Sequence, residues 1–414
     1  MKFISTIFTG FIVAGSFLHA QETGLLNHDF LSKIKQEAAR THPSAATGKH
    51  LASAAGHDIR AVRLWEDPML AMGFTIADKM MRMDDGDILI GIEQTLPKPG
   101  MFEARLRKAQ AMQRAATENS HTPALAAAAE AARIAIELAL ADESITLQQA
   151  QITWLTAMVE NARQMAADPM GSGSDALRME TELAKEQQML DAVRRSREGF
   201  AQKLNLTLGR PLQSPWPVMK LPVTPSPVPL ARTEIARIPH ANPKVRAMIE
   251  MSAAANAETR MADRERLPEV SVGIDTNIYA SSADFRSTMV GVKITLPWLN
   301  DTSYQADIAA AQSRELAATR DVETMRREVA AMVLSAATQA ANAAAQARAY
   351  SGVIHEKALQ TTKTIEASWI SSKAPLTDLL DSARTLFSIR LEQRRMIAMQ
   401  LAALEELQAL VPNR

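Results

Sequence analysis

The sequence predicts an α+β fold built as a two-copy internal repeat, with long coiled-coil helical hairpins and four β-strands of bilayer-crossing length. Three observations carry this. Pro43, Pro68 and Pro97 recur as Pro243, Pro268 and Pro297, and Gly73 and Gly91 recur as Gly273 and Gly291, all at an offset of 200. Prolines and glycines punctuate structure, so a shared register across them marks duplicated architecture. Each copy also carries two stretches of apolar–polar alternation, and each then runs into an alanine-rich segment almost free of helix breakers.

The totals bound the rest. The 414 residues carry no net charge, so nothing points to nucleic acid or a polyanionic partner. The absence of cysteine excludes disulfides, thiol catalysis and cysteine zinc sites. No HExxH, phosphate loop, GxSxG or supported carboxylate pair is present, so no catalytic residue and no cofactor are expected.

Residues 1–20 have the layout of a secretory signal peptide: Lys2, an apolar run from Phe3 to Leu18, then Ala20 before a polar segment. A single N-terminal anchor is the competing assignment, but the run is shorter than the roughly 20 residues a spanning helix needs. The first repeat covers 21–209, a proline-rich linker 210–242, and the second repeat 243–414. Prolines in the linker are dense enough to predict neither helix nor central strand, but an extended segment along the outside.

Each unit opens with a helix, Asp29–Leu64 in the first copy and Pro243–Arg266 in the second. Asn242 caps the second helix and Pro243 takes its first position. Two strands follow. Leu70, Met72, Phe74 and Ile76, then Ile88, Ile90 and Ile92, alternate with small or polar residues in the first copy. Val270, Val272, Ile274 and Ile278, then Val290, Val292 and Ile294, do the same in the second. Strands of about ten residues suit a tilted crossing of a bilayer, apolar side to lipid. The same alternation suits amphipathic strands of a soluble sheet.

Thr-Leu-Pro ends the second strand of each copy, at Pro97 and Pro297, where the chain hands over from strand to helix. Long helices follow, from Gly100 to about Asp168 with a kink near Pro123, and from Asp301 to about Ser368. At 1.5 Å per residue each is roughly 100 Å long. Leu138, Ile145, Ile152 and Val159 recur at seven-residue spacing, a coiled-coil seam. A short turn then leads to a return helix of about 35 residues in each copy. Four strands do not close a barrel alone, and lipid does not tolerate open edges. The chain therefore either oligomerises or stays out of the membrane.

This order of elements, with "RLPEVSVGI" from Arg266, "GVKITLPWLN" from Gly291 and "PLTDLLDSARTL" from Pro375, resembles the TolC-type outer-membrane efflux protein family over essentially the whole mature chain. "EQTLPKPGMFEARLRKAQ" from Glu93 is similar to the strand-to-helix crossing of the heavy-metal efflux branch. The resemblance implies a homotrimer with a 12-stranded outer-membrane β-barrel and a periplasmic helical tunnel. It also implies a periplasmic adaptor protein and an inner-membrane transporter, of the resistance–nodulation–division type, as partners. The implied activity is that of a passive exit duct for small solutes, with heavy-metal cations slightly favoured. Multidrug export, a type I protein-secretion duct and a soluble periplasmic coiled-coil scaffold are the alternatives.

The resemblance places Asp378 and Asp381 as carboxylate rings at a pore gate. A solvated helix start that favours acids is the plainer reading of the same pair. Asp175 is the first-copy counterpart, but Arg178 replaces the second acid. The tip turns supply candidate adaptor contacts: Met170, Gly171, Ser172 and Gly173, then Ser371, Ser372 and Lys373. Met80, Met81 and Met83 beside Asp84, Asp85 and Asp87 read as a polar loop rather than a metal site, and His50 and His57 as surface residues.

Overall fold

The computed structural model describes residues 24–75, 87–167, 173–280 and 283–412. The signal-peptide residues and the loop from Met80 to Asp85 lie outside them. The first unit runs α1 (His28–Thr41), α2 (Pro43–Ala61), β2 (Met69–Thr75), β3 (Asp87–Thr95), α3 (Met101–Ala166) and α4 (Gly173–Leu208). A two-residue strand, β1 (Gly24–Leu25), precedes it and pairs in parallel with β4 (Met219–Lys220). The second unit has α5 (Ala231–Ala241), α6 (Pro243–Glu265), β5 (Val270–Tyr279), β6 (Phe285–Ile294), α7 (Asp301–Ala349), α8 (His355–Ile370) and α9 (Leu376–Leu410). Helix–strand–strand–long helix–return helix thus occurs twice.

Three expectations are corrected. The opening helix 29–64 is two helices, because Pro43 drives His42 out of helical geometry, to φ −67° and ψ 129°. Pro243 does the same to Asn242. The linker is consequently shorter than 210–242: residues Ala231–Ala241 form α5, the counterpart of α1, with Pro239 inside the helix. Nor does the linker lie wholly outside, since Met219 and Leu221 are buried in the core.

The third correction concerns the long helices. The first passes through Pro123 as one 66-residue element, about 100 Å at 1.5 Å per residue. The second is interrupted. Residues Tyr350–Ile354 form a π-helical segment in which Gly352 leaves helical geometry altogether. Two helices, α7 and α8, thus meet at a kink there.

The four long strands form one antiparallel sheet in the order β2-β3-β5-β6. Register places Leu70, Ile92, Ile274 and Val290 in one row, and Met72 and Ile90 in the next. That face is apolar and exposed; Leu70, Met72, Phe74, Val290 and Val292 are each more than 60% accessible. The opposite face is mostly small and polar, with Met69, Leu89 and Met289 also on it. There the Glu93 carboxylate accepts from Lys293 at 2.5 Å and from Ser271 at 2.6 Å. Near the far end of the strands Arg286 pairs with Asp87 at 2.5 Å. A Cβ on Gly91 would meet the end of the Asp275 side chain, which would have to turn aside. Strands β2 and β6 leave both edges open.

Below the sheet α2, α3, α6 and α7 pack side by side, in the same lateral order as the strands above them. Apolar side chains collect in three places. A middle cluster joins Leu31, Ile34, Leu138, Leu204 and Ile397. A second joins α5, α6, α7 and α9 through Ile238, Val245, Val333 and Leu407. A third sits at the helical tips.

Candidate functional site

The tips are where both hairpins meet. Leu155, Met158 and Val159 of α3, Ala176 and Met179 of α4, Trp369 of α8, and Leu376 and Leu379 of α9 form one buried cluster. Its apolar residues on α9 fix the direction of that helix. With Leu376 and Leu379 turned inward, Asp378 and Asp381 are left exposed three residues apart. The structure brings these two acids to one face.

The turn before α9 is held by its own backbone. Lys373 N–H donates to Ser368 O and Ser372 N–H to Trp369 O, both at 2.8 Å. This is a Schellman closure, with Ser372 at the left-handed position, φ 56°. Ser371, Ser372 and Lys373 are all exposed, as is Gly173 across the way. Met170, Gly171 and Ser172 lie outside the described residues.

Beside Asp381 stands a group that sequence reasoning missed. Arg384 donates to Glu182 through two nitrogens, at 3.0 and 2.8 Å, and to Asp381 at 3.3 Å. It therefore ties α9 to α4 just behind the paired aspartates. The Arg384 guanidinium holds the Glu182 carboxyl below the usual carboxylate range, against the opposing effect of burial. One turn on, Glu186 goes the other way: burial, reinforced by the Glu182 charge, raises it. Gln148 of α3 donates to Glu186. Nothing in the local sequence of either helix marks this cluster, because Glu182 and Arg384 are 202 positions apart.

Further from the tip, the linker is fastened to both hairpins. Asp142 is buried and accepts from Arg197 at 2.6 Å and from the Met219 backbone at 2.9 Å. Glu143 accepts from Leu221 N–H, and Gln400 bonds Ser226 in both directions.

At the other end of the helices lie Pro97 and Pro297. Pro97 follows β3 directly, and the chain then turns at Gly100, φ 77°, to enter α3. Pro297 is buried and opens a short 3₁₀ turn into α7. Lys98, beside the first crossing, bridges to Glu265 at 2.9 Å. His50 and His57 are exposed on α2. Among the described residues no helix is long and apolar enough to cross a membrane.

Residues 237–412 match the family model described as outer membrane efflux protein. No curated protein sequence matches the chain. Several solved structures share its fold. One is the outer membrane protein VceC of Vibrio cholerae, 14% identical, TM-score 0.76, covering 92% of this chain and 96% of that one. Another is the open state of the MtrE outer membrane channel of Neisseria gonorrhoeae, 18% identical, TM-score 0.73, covering 92% and 88%. CusC, studied for transmembrane channel formation, is 14% identical with a TM-score of 0.75, covering 94% of each chain. The chain has the fold of these outer-membrane channels, and residues 237–412 are similar to the outer membrane efflux protein family.

Proposed function

We propose that this chain is the outer-membrane exit duct of a tripartite efflux pump. The observation that carries this is the sheet. Four strands expose one largely apolar face, broken only by Thr276 and Thr288 in the Met72–Ile90 row, keep charged and glycine residues on the other, and leave both edges unpaired. In lipid those edges need partners, and further copies of the same sheet supply them. Three copies give a 12-stranded barrel, wet inside, standing on a helical tunnel of about 100 Å. The chain then divides into a signal peptide at 1–20, two efflux units, and the linker that joins them.

The duct does no chemistry. Asp378 and Asp381, repeated by symmetry, ring the tip with carboxylates, and the Arg384–Glu182 tie holds α9 against α4 beside them. Opening is a shift of α9 that breaks this tie. Gly173 and the Ser371–Lys373 turn face outward at the tip, where a periplasmic adaptor docks and an inner-membrane transporter supplies the energy. The favoured cargo is heavy-metal cations, on the Glu93 crossing motif and a content of 22 methionines.

The test is growth of a deletion strain across metals, dyes, bile salts and antibiotics, complemented by the native gene and by Asp378→Ala/Asp381→Ala. Sensitivity confined to copper, silver or zinc, restored by the native gene, is the expected result. Broad sensitivity to amphiphiles with no metal effect leaves a drug-efflux duct, and no sensitivity of any kind overturns the pump assignment.

A further inference from the structure

Two tryptophans stand exposed where sheet meets helices. Trp65 precedes edge strand β2 and is 50% accessible; Trp298 follows edge strand β6 and is 60% accessible. Within one chain they cannot meet, because three strand spacings, about 14 Å, separate the two edges.

The repeat says what does meet them. An offset of 200 carries Lys98 onto Trp298 and Trp65 onto Glu265. Lys98 and Glu265 touch, with Nζ 2.9 Å from Oε2. They do so where the exit strand of the first unit, β3, lies beside the entry strand of the second, β5. Between copies the same junction recurs one step around: β6 of one copy beside β2 of the next. The strand directions fit, because they alternate through the sheet and β2 continues that alternation after β6.

We propose that Trp298 of each copy packs against Trp65 of its neighbour, an aromatic contact in place of the Lys98–Glu265 ion pair. This rests on the reading of the chain as a ring of copies and names the contact that closes it. The surface beside Trp65 supports it. A hollow of about 640 Å³ opens there between α2, α3 and α6, where Val62, Met112 and Met261 share the lining with the charged Arg63, Glu66 and Lys108, and it is wide enough for an indole. The chemistry of the two seams also differs in the same sense. Inside the chain α3 and α6 are laced by Lys108–Glu258 at 2.9 Å and Arg114–Glu250 at 2.7 Å. The offset positions hold Ile308 with Asp58 and Arg314 with His50, so neither ion pair is reproduced. The seam between copies gains its hold from the aromatic and apolar groups instead, and salt does not weaken such contacts as it does exposed ion pairs.

The chain has no cysteine, so Trp65→Cys/Trp298→Cys introduces the only two thiols. A short bis-maleimide applied to the assembled protein in mild detergent is expected to give covalent dimers and trimers on a denaturing gel, and neither single variant does. An assembled oligomer whose two thiols both take a monofunctional maleimide but never cross-link overturns the proposal. The unmodified protein gives a second readout in vesicles of brominated phospholipid. Indoles packed between copies escape quenching; strong quenching that disappears in Trp298→Phe shows Trp298 facing lipid, and also overturns it. A parent protein that forms no oligomer and does not enter vesicles overturns the duct reading itself, which is a separable failure.

Discussion

Arg384 is the residue on which the tip turns. It is about half exposed, while its partner Glu182 is nearly buried, so its loss leaves that carboxylate with only the more distant Lys185, at 3.5 Å, and one turn from Glu186. Discounted for solvent screening, Arg384→Ala is expected to cost about 1 kcal/mol, seen as a lower unfolding midpoint and faster proteolysis at the tips. The two carboxyls respond to acid in opposite senses. Glu186, raised by burial, takes up a proton while the protein is still folded, so acidification from neutrality first removes an unfavourable buried charge and stabilises the hairpin. Glu182, lowered by Arg384, keeps its stabilising charge until well below the ordinary carboxylate range, and only there is the α4–α9 tie lost. Glu186→Gln is expected to remove the gain in melting temperature on mild acidification and leave the loss at lower pH. A Glu186→Gln profile that matches the parent in mild acid rules out this assignment.

At the scale of elements α2 and α3 approach closely at Gly48. A Cβ on Gly48 would stand 2.9 Å from the Ser120 carbonyl oxygen, which is backbone and cannot rotate away. Gly48→Val is expected to destabilise by about 1–3 kcal/mol, as overpacking does, despite replacing a poor helix former; a thermal melt beside Gly56→Val checks it, because Gly56 has open space around it. The two long helices differ in kind. The first is continuous, whereas the second carries the Gly352 segment closer to its tip end, with Val353 exposed. The hairpin bearing Asp378 and Asp381 is therefore the one whose long helix leaves helical geometry, whereas Pro123, having no N–H, costs the first long helix one ladder bond.

At the scale of the molecule the question is what covers the sheet. An apolar face of four strands with two open edges is an aggregation surface in water and a membrane surface once closed into a barrel. The protein is expected to leave the membrane fraction only with detergent and to run as a trimer on gels that heating converts to monomer. Release by salt or by osmotic shock points instead to a periplasmic scaffold.

How much of this was legible in the sequence depends on the range of the interaction. Alternation from Val270 to Ile294, the capped start at Asn242–Pro243 and the proline at each crossing are read from neighbouring residues, because side-chain direction and proline geometry are local. The repeat is also legible, since it needs only a comparison of the chain with itself. The break at His42 was available from Pro43 by that same comparison. The hidden helix α5 was obscured by Pro239, whose cost the packing of Ile238 offsets. Sequence alone thus determined the order of elements, the apolar side of each strand and the inability of four strands to close. Only the tertiary structure decided what joins the two units: the linker sunk into the core at Met219 and Leu221, the Asp142 anchorage, and the Arg384–Glu182 tie beside the paired aspartates. Those contacts join residues 55 to 202 positions apart, and no local pattern encodes them, because long-range partners are chosen by how whole helices pack rather than by their neighbours in the chain.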